Sequence, residues 1–146
     1  MNPRDFMDLA WELLGGMKQA EWRSAVSRAY YAAFHVARGL LRQAGFAAPL
    51  AENAHAYVWL RLSNSGHPDV QIAGAKLSLL RSGRNLADYE LQRTLNQATA
   101  TDQVRMASDI IQLLTLVEGD PVIRTRITDA MKLYERDVLR VVTWYP

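Results

Sequence analysis

Apolar residues recur every three or four positions along most of the chain, and no run of four or more residues alternates apolar with polar between turn signals. This period predicts an all-α protein. A first helix opens with Asn2 as N-cap and Pro3 at its first helical position, carries Phe6, Leu9, Ala10, Leu13 and Leu14 on one face, and stops at Gly15 and Gly16. A second runs from about Lys18 to Ala44 with Gly45 as its stop; 27 residues make a rod of about 40 Å, the longest element. A third spans about Glu52 to Asn64. Gly66 ends it, and Pro68 with Asp69 opens the fourth, which reaches about Leu86. Gly74 and Gly83 inside the fourth read as weak points costing about 1 kcal/mol each relative to alanine.

From Asp88 to Ala100 the period fades, which predicts an irregular excursion. Thr101 then caps a fifth helix through Val104, Ala107, Ile110, Ile111, Leu114 and Val117, closed by Gly119. Asp120 and Pro121 start the last, with apolar positions at Ile123, Ile127, Ala130, Tyr134, Val138 and Val141. Short connections between long amphipathic helices imply antiparallel neighbours. The expected fold is therefore an up-and-down bundle of four to five long helices plus a short one, in a single domain over residues 1–146.

The second helix has two faces. Trp22, Ala25, Val26, Ala29, Ala33, Ala37 and Leu40 form a stripe whose alanines suit a closely approaching helix. Ser24, Arg28, Tyr31, His35, Arg38 and Arg42, at spacings of 4, 3, 4, 3 and 4, share the other face at about 100° per residue.

Composition narrows the chemistry. There is no cysteine, which removes disulfides, thiolate zinc sites and cysteine nucleophiles and fits a reducing compartment. The N-terminal "MNPRDFMDLAWELL" sets acids among its apolar residues, unlike a secretory signal, and no apolar stretch approaches the roughly 18 residues of a membrane span. A soluble cytoplasmic protein without a membrane partner is expected. The formal charge of +2 is small, so attraction to nucleic acid has to come from local clustering. Arginine outnumbers lysine heavily, and guanidinium groups suit bidentate contacts with phosphate. His55 and His67 lack metal-ligand spacing, and there is no HExxH and no pair of ExxH motifs, so no metal and no cofactor are expected. No GxSxG supports a serine hydrolase. Trp11, Trp22, Trp59 and Trp144 read as core or interface residues, and the ending "RVVTWYP" offers apolar surface to a neighbouring subunit. Gly83, between Arg81 and Arg84, either lets an anion approach the backbone or terminates a helix.

"RSAVSRAYYAAFHVARGLL" from Arg23 to Leu41, followed by "LSLLRSGRNLADY" from Leu77 to Tyr89, resembles the HEPN family, in particular its compact single-domain prokaryotic branch, over most of the chain in order and spacing. The resemblance implies an antiparallel helical bundle that pairs as a homodimer. It further implies a metal-independent endoribonuclease of toxin–antitoxin, stress or defence systems, a non-catalytic partner of a small nucleotidyltransferase, or a nucleotide-binding module. Catalytic members carry an arginine, a polar neighbour and, four to six residues further on, a histidine. Arg84 and Asn85 match the first two; Tyr89 stands five residues after Arg84 with Asp88 before it, and no histidine follows His67.

Cleavage of RNA through its own 2′-hydroxyl needs a group that exchanges protons near neutral pH, as an imidazole with a pKa of about 6.5 does and a tyrosine near ~10 seldom does. The missing histidine favours a binding module, in which a homodimer lines a groove with Arg81, Arg84, Asn85, Asp88 and Tyr89, aided by Arg28, Tyr31 and His35. Such a groove would take a nucleotide, RNA or a nucleotidyltransferase without cutting. A second reading is an endoribonuclease in which Arg84 holds the phosphate and Tyr89 or His35 moves protons. A structural oligomeric scaffold is the third. Plainer roles stand beside these: an Arg84–Asp88 ion pair, a Tyr89 hydroxyl capping the loop, His35 as an interhelical histidine, and Tyr30 and Tyr31 as hydroxyl-tethered core. Arg28 and His35, seven residues apart or about 10.5 Å along a helix, could flank one phosphate without bonding each other.

Overall fold

The computed structural model describes residues 1–144; Tyr145 and Pro146, the end of the "RVVTWYP" segment, lie outside the described residues. Six α-helices occur among them: α1 (Arg4–Leu14), α2 (Gln19–Gln43), α3 (Ala54–Ser63), α4 (Pro68–Tyr89), α5 (Gln97–Glu118) and α6 (Pro121–Tyr134), followed by a π-helical turn at Glu135–Leu139. No strand is present among the described residues, apart from an isolated antiparallel bridge between Phe46 and Trp144. The fold is all-α, as the hydrophobic period requires.

Local chemistry sets the helix ends. Asn2 Oδ1 accepts the Arg4 N–H at 3.0 Å and so caps α1. Gly45, with φ +98°, closes α2: the Phe46 N–H donates to Leu41 O and the Gly45 N–H to Arg42 O, both at 3.0 Å, the double bond of a Schellman ending. Asp120 Oδ1 accepts from the Val122 and Ile123 N–H groups at 3.0 and 3.2 Å, with Pro121 in the first turn of α6.

Two boundaries differ from expectation. The irregular stretch is confined to residues 90–96, because α4 continues to Tyr89 and α5 begins at Gln97 instead of Thr101. Asn96 is the true cap, its Oδ1 accepting the Thr99 N–H at 2.8 Å, while Thr101 turns its hydroxyl back to Gln97 O. The last α-helix stops at Tyr134, four residues short of Val138. The π-helical turn and Arg140, at φ +57°, divert the chain there, so Val138 and Val141 stay exposed.

The chain divides into two compact units, one of Met1–Val36 with Lys76–Ile111, the other of Ala37–Ala75 with the residues from Gln112 onward. In the first, Ala25, Ala29, Ala32 and Ala33 of α2 are wholly buried, together with Ala10, Leu77, Leu80, Val104 and Ala107. The predicted alanine stripe is thus a core face. On α1 the buried face is Met7, Ala10 and Leu14, and Leu9, expected inside, is exposed.

The second unit is built on Leu41, Val58, Leu62, Val70, Leu114, Ile127 and Met131. Through its core runs a polar latch. Arg61 Nε donates to Glu135 Oε2 at 2.7 Å, and both side chains are buried. Glu135 also accepts from the Thr143 N–H at 2.8 Å and from its hydroxyl at 2.6 Å. Gly74 is no mere weak point, because a Cβ there would stand 2.8 Å from Ser63 Oγ and 3.1 Å from Leu62 Cβ; the glycine lets α4 lie against α3.

Candidate functional site

All eight residues singled out by sequence lie in the first unit, on α2 and α4. Helical spacing puts Arg28, Tyr31 and His35 on one stripe of α2 and Arg81, Arg84, Asn85 and Asp88 on one side of α4. The structure joins them through an aromatic ladder. The Arg84 guanidinium lies 5.2 Å from the Tyr30 ring centre and 5.5 Å from that of Tyr31, and Arg28 lies 5.5 Å from Tyr31 on its own side of the ladder. His35 stacks at 6.4 Å on Tyr31. Such cation–π contacts are each worth about 0.5–1 kcal/mol at exposed sites and more when desolvated.

Two residues complete the corner that the sequence did not single out. Phe6 of α1 receives the Arg28 guanidinium at 5.5 Å and stacks on His35 at 6.2 Å. It was legible only as one more apolar position of α1. Gln103 of α5 fills the notch left by Gly83, where a Cβ would stand 2.5 Å from its Oε1. Gly83 therefore does not terminate a helix; α4 runs six residues past it.

Asp88 accepts the Ser27 hydroxyl at 3.1 Å and pairs loosely with Arg84 at 3.9 Å. One distant carboxylate does not saturate this corner. The Arg84 side chain is only 14% exposed, and the Nε atoms of both Arg81 and Arg84 are buried without a hydrogen-bond partner, as is Gln103 Oε1. Leaving a buried donor unpaired costs about 1–3 kcal/mol, more when it is charged. Burial pushes the Tyr30 phenol up, offset in part by the charges of Arg84 and Arg81 and by a hydrogen bond from Arg84. Both guanidinium groups therefore act on one phenolic oxygen, which stays protonated at neutral pH.

Tyr89 does not cap the loop. It ends α4 with 73% of its surface exposed. The cap is Arg23, whose buried guanidinium donates to the carbonyl oxygens of Leu86, Ala87, Glu90 and Arg93 and, through Nε, to Gln19 Oε1 at 2.9 Å. Asn85 is half-buried on α4 near Arg84. Among the described residues no group of three or more His, Asp or Glu side chains could hold a metal ion, and no helix is long and apolar enough to cross a membrane.

The model of the HEPN domain family matches residues 5–117 of this all-helical chain. The chain belongs to the HEPN domain family. In general terms this makes it a nucleotide- or RNA-related helical module. No curated protein and no solved structure matches the chain.

Proposed function

We propose that the chain is a binding module that holds a phosphate group of a nucleotide or of RNA at the Arg81–Arg84 corner without cutting it. The observation that supports this best is the placement of two guanidinium groups, Arg81 and Arg84, on one side of α4 with a single carboxylate in loose contact, Asp88 at 3.9 Å from Arg84. A phosphate would take charge-assisted hydrogen bonds from the terminal N–H groups of these guanidiniums, while Tyr30 and Tyr31 keep the Arg84 plane oriented. Asn85 and Asp88 edge this corner, and Tyr89 offers an exposed ring beside it. HEPN domains often dimerise, and a homodimer would bring two such corners to one groove. A small nucleotidyltransferase is the protein partner that fits this reading, in a toxin–antitoxin, stress or defence setting.

A second reading keeps one observation in its favour. Arg84 and His35 pack on the same Tyr31 ring, at 5.5 and 6.4 Å, so an imidazole stands one ring away from the phosphate-holding group. Metal-independent cleavage of RNA would then use Arg84 with His35. The experiment is incubation of the purified protein with labelled single-stranded RNA in EDTA, alongside fluorescence-polarisation binding at low salt. Binding without cleavage, lost in Arg84→Ala, is the expected result. Cleavage abolished by both Arg84→Ala and His35→Ala establishes the enzyme instead. Absence of binding to either nucleotide or RNA leaves the scaffold reading standing alone.

A further inference from the structure

A cavity of about 340 Å³ opens in the second unit. Its apolar floor is Ala44, just past α2, and Pro121 of α6, set over the nearly covered side chains of Leu40, Ile127 and Met131. Its rim is polar. Arg124, Thr128 and Lys132 recur at intervals of four along α6 and line one stripe of about 12 Å. Asp129 stands on the neighbouring stripe, and Gln43 of α2 faces the same space. The volume lies at the lower end of the roughly 300–1,000 Å³ typical of small-molecule sites, and an apolar floor beneath a few polar groups is their usual construction.

Among the described residues, neither Arg124, Lys132 nor Asp129 forms an ion pair. Lys132 is instead held by the Trp144 ring, its ammonium 4.5 Å from the ring centre. Two cations against one carboxylate leave the rim net positive. That balance attracts a single anionic head, while Asp129 counts against a polyanionic backbone. The whole of α6, which supplies every charged residue of the rim, lies beyond residues 5–117, whereas Leu40, Gln43 and Ala44 fall within the segment that matches the family.

We infer that this cavity binds a small amphipathic anion, with an apolar body against Ala44 and Pro121 and one phosphate or carboxylate head held by Arg124 and Lys132. The site is independent of the Arg81–Arg84 corner, and either can fail without the other.

Anilinonaphthalene sulfonate, an aromatic body with one anionic head, is the probe, titrated by fluorescence into the full chain. Saturable one-site binding is expected. Arg124→Gln and Lys132→Gln, both on the surface of α6, should each weaken it by about tenfold or more, the loss of one charge-assisted contact. Thr128→Trp, which fills the cavity, should abolish it, provided its thermal melt is cooperative. Arg105→Gln, an exposed arginine of the first unit, should leave it unchanged. Displacement by naphthyl phosphate in preference to naphthoate assigns the head as phosphate, and the reverse assigns it as carboxylate. Equal binding by wild type and both glutamine variants overturns the inference. So does equal binding of the uncharged phenylnaphthylamine.

Discussion

Arg23 donates to the carbonyl oxygen of Ala87 at 2.9 Å, across 64 residues of sequence. The same guanidinium reaches Leu86, Glu90 and Arg93, so one buried cation ties carbonyl groups in the last turn of α4 to those of the loop that follows. Arg23→Met should cost about 3 kcal/mol or more in urea denaturation, because one buried and several part-buried acceptors lose their donor at once. Arg23→Lys should restore only part, since a compact ammonium cannot reach Gln19, Ala87 and Arg93 together. A loss under ~1 kcal/mol in the methionine variant would show that water replaces the guanidinium easily.

Arg84 should reveal itself through salt. If it holds a phosphate, Arg84→Gln lowers RNA affinity and reduces the slope of log K against log[salt] by about one. Arg84→Lys should keep the slope but lose affinity, because the flat guanidinium lying over Tyr30 and Tyr31 is replaced by a point charge. Polarisation titrations at three salt concentrations decide it.

Tyr30 predicts alkaline sensitivity. Burial holds its phenol above the ordinary value, whereas in the unfolded chain it ionises near pH ~10. Its contribution to stability is complete below the unfolded pKa and is lost as pH rises from there through the folded one. Tyr30→Phe should therefore show a smaller drop in urea midpoint between pH ~9 and ~11 than wild type. Arg84→Gln, by removing an offsetting charge, should push the phenol further up in an ultraviolet titration.

Two glycines of α4 should answer oppositely to alanine. At Gly74 the new Cβ meets Ser63 Oγ and the Ser63 backbone nitrogen at 2.8 and 3.0 Å, so Gly74→Ala should cost about 1–3 kcal/mol despite its better helix propensity. At Gly83 the obstacle is the end of the Gln103 side chain, whose Oε1 has no partner to lose. Gly83→Ala should be neutral or stabilising by up to about 1 kcal/mol. Thermal melts of the two variants give the comparison directly.

The Arg61–Glu135 latch should break asymmetrically. Glu135→Ala leaves a buried guanidinium and strands the Thr143 N–H, with an expected loss of about 3–5 kcal/mol. Arg61→Met with Glu135→Leu together should cost much less than the sum of the two single changes. A double-mutant cycle by chemical denaturation measures the coupling.

Helix content, the alanine core stripe of α2 and the caps at Asn2, Gly45 and Asp120 were legible in the chain, since periodicity and capping are properties of neighbours a few residues apart. So was the grouping of Arg28 with His35, and of Arg84 with Asp88, each within one helix. The ladder that connects them was not. Phe6 reaches His35, and Arg84 reaches Tyr30, only because separate helices pack, and no spacing rule spans those distances.

The same limit explains the misplaced start of α5, the role of Gly83 and the silence of Arg23. Asn96 and Thr101 are both acceptable caps by residue type, and only the folded backbone selects between them. For Gly83 an anion approach and a helix stop are equally open by residue type, because nothing local announces that Gln103 occupies the notch beside it. Residue order determined which helices form and which faces they bury. Tertiary packing decided which arginines spend their donors on carbonyl groups, as Arg23 does, and which keep a buried N–H unpaired, as Arg81 and Arg84 do. Hydrogen-bond satisfaction depends on what the rest of the chain brings within about 3 Å.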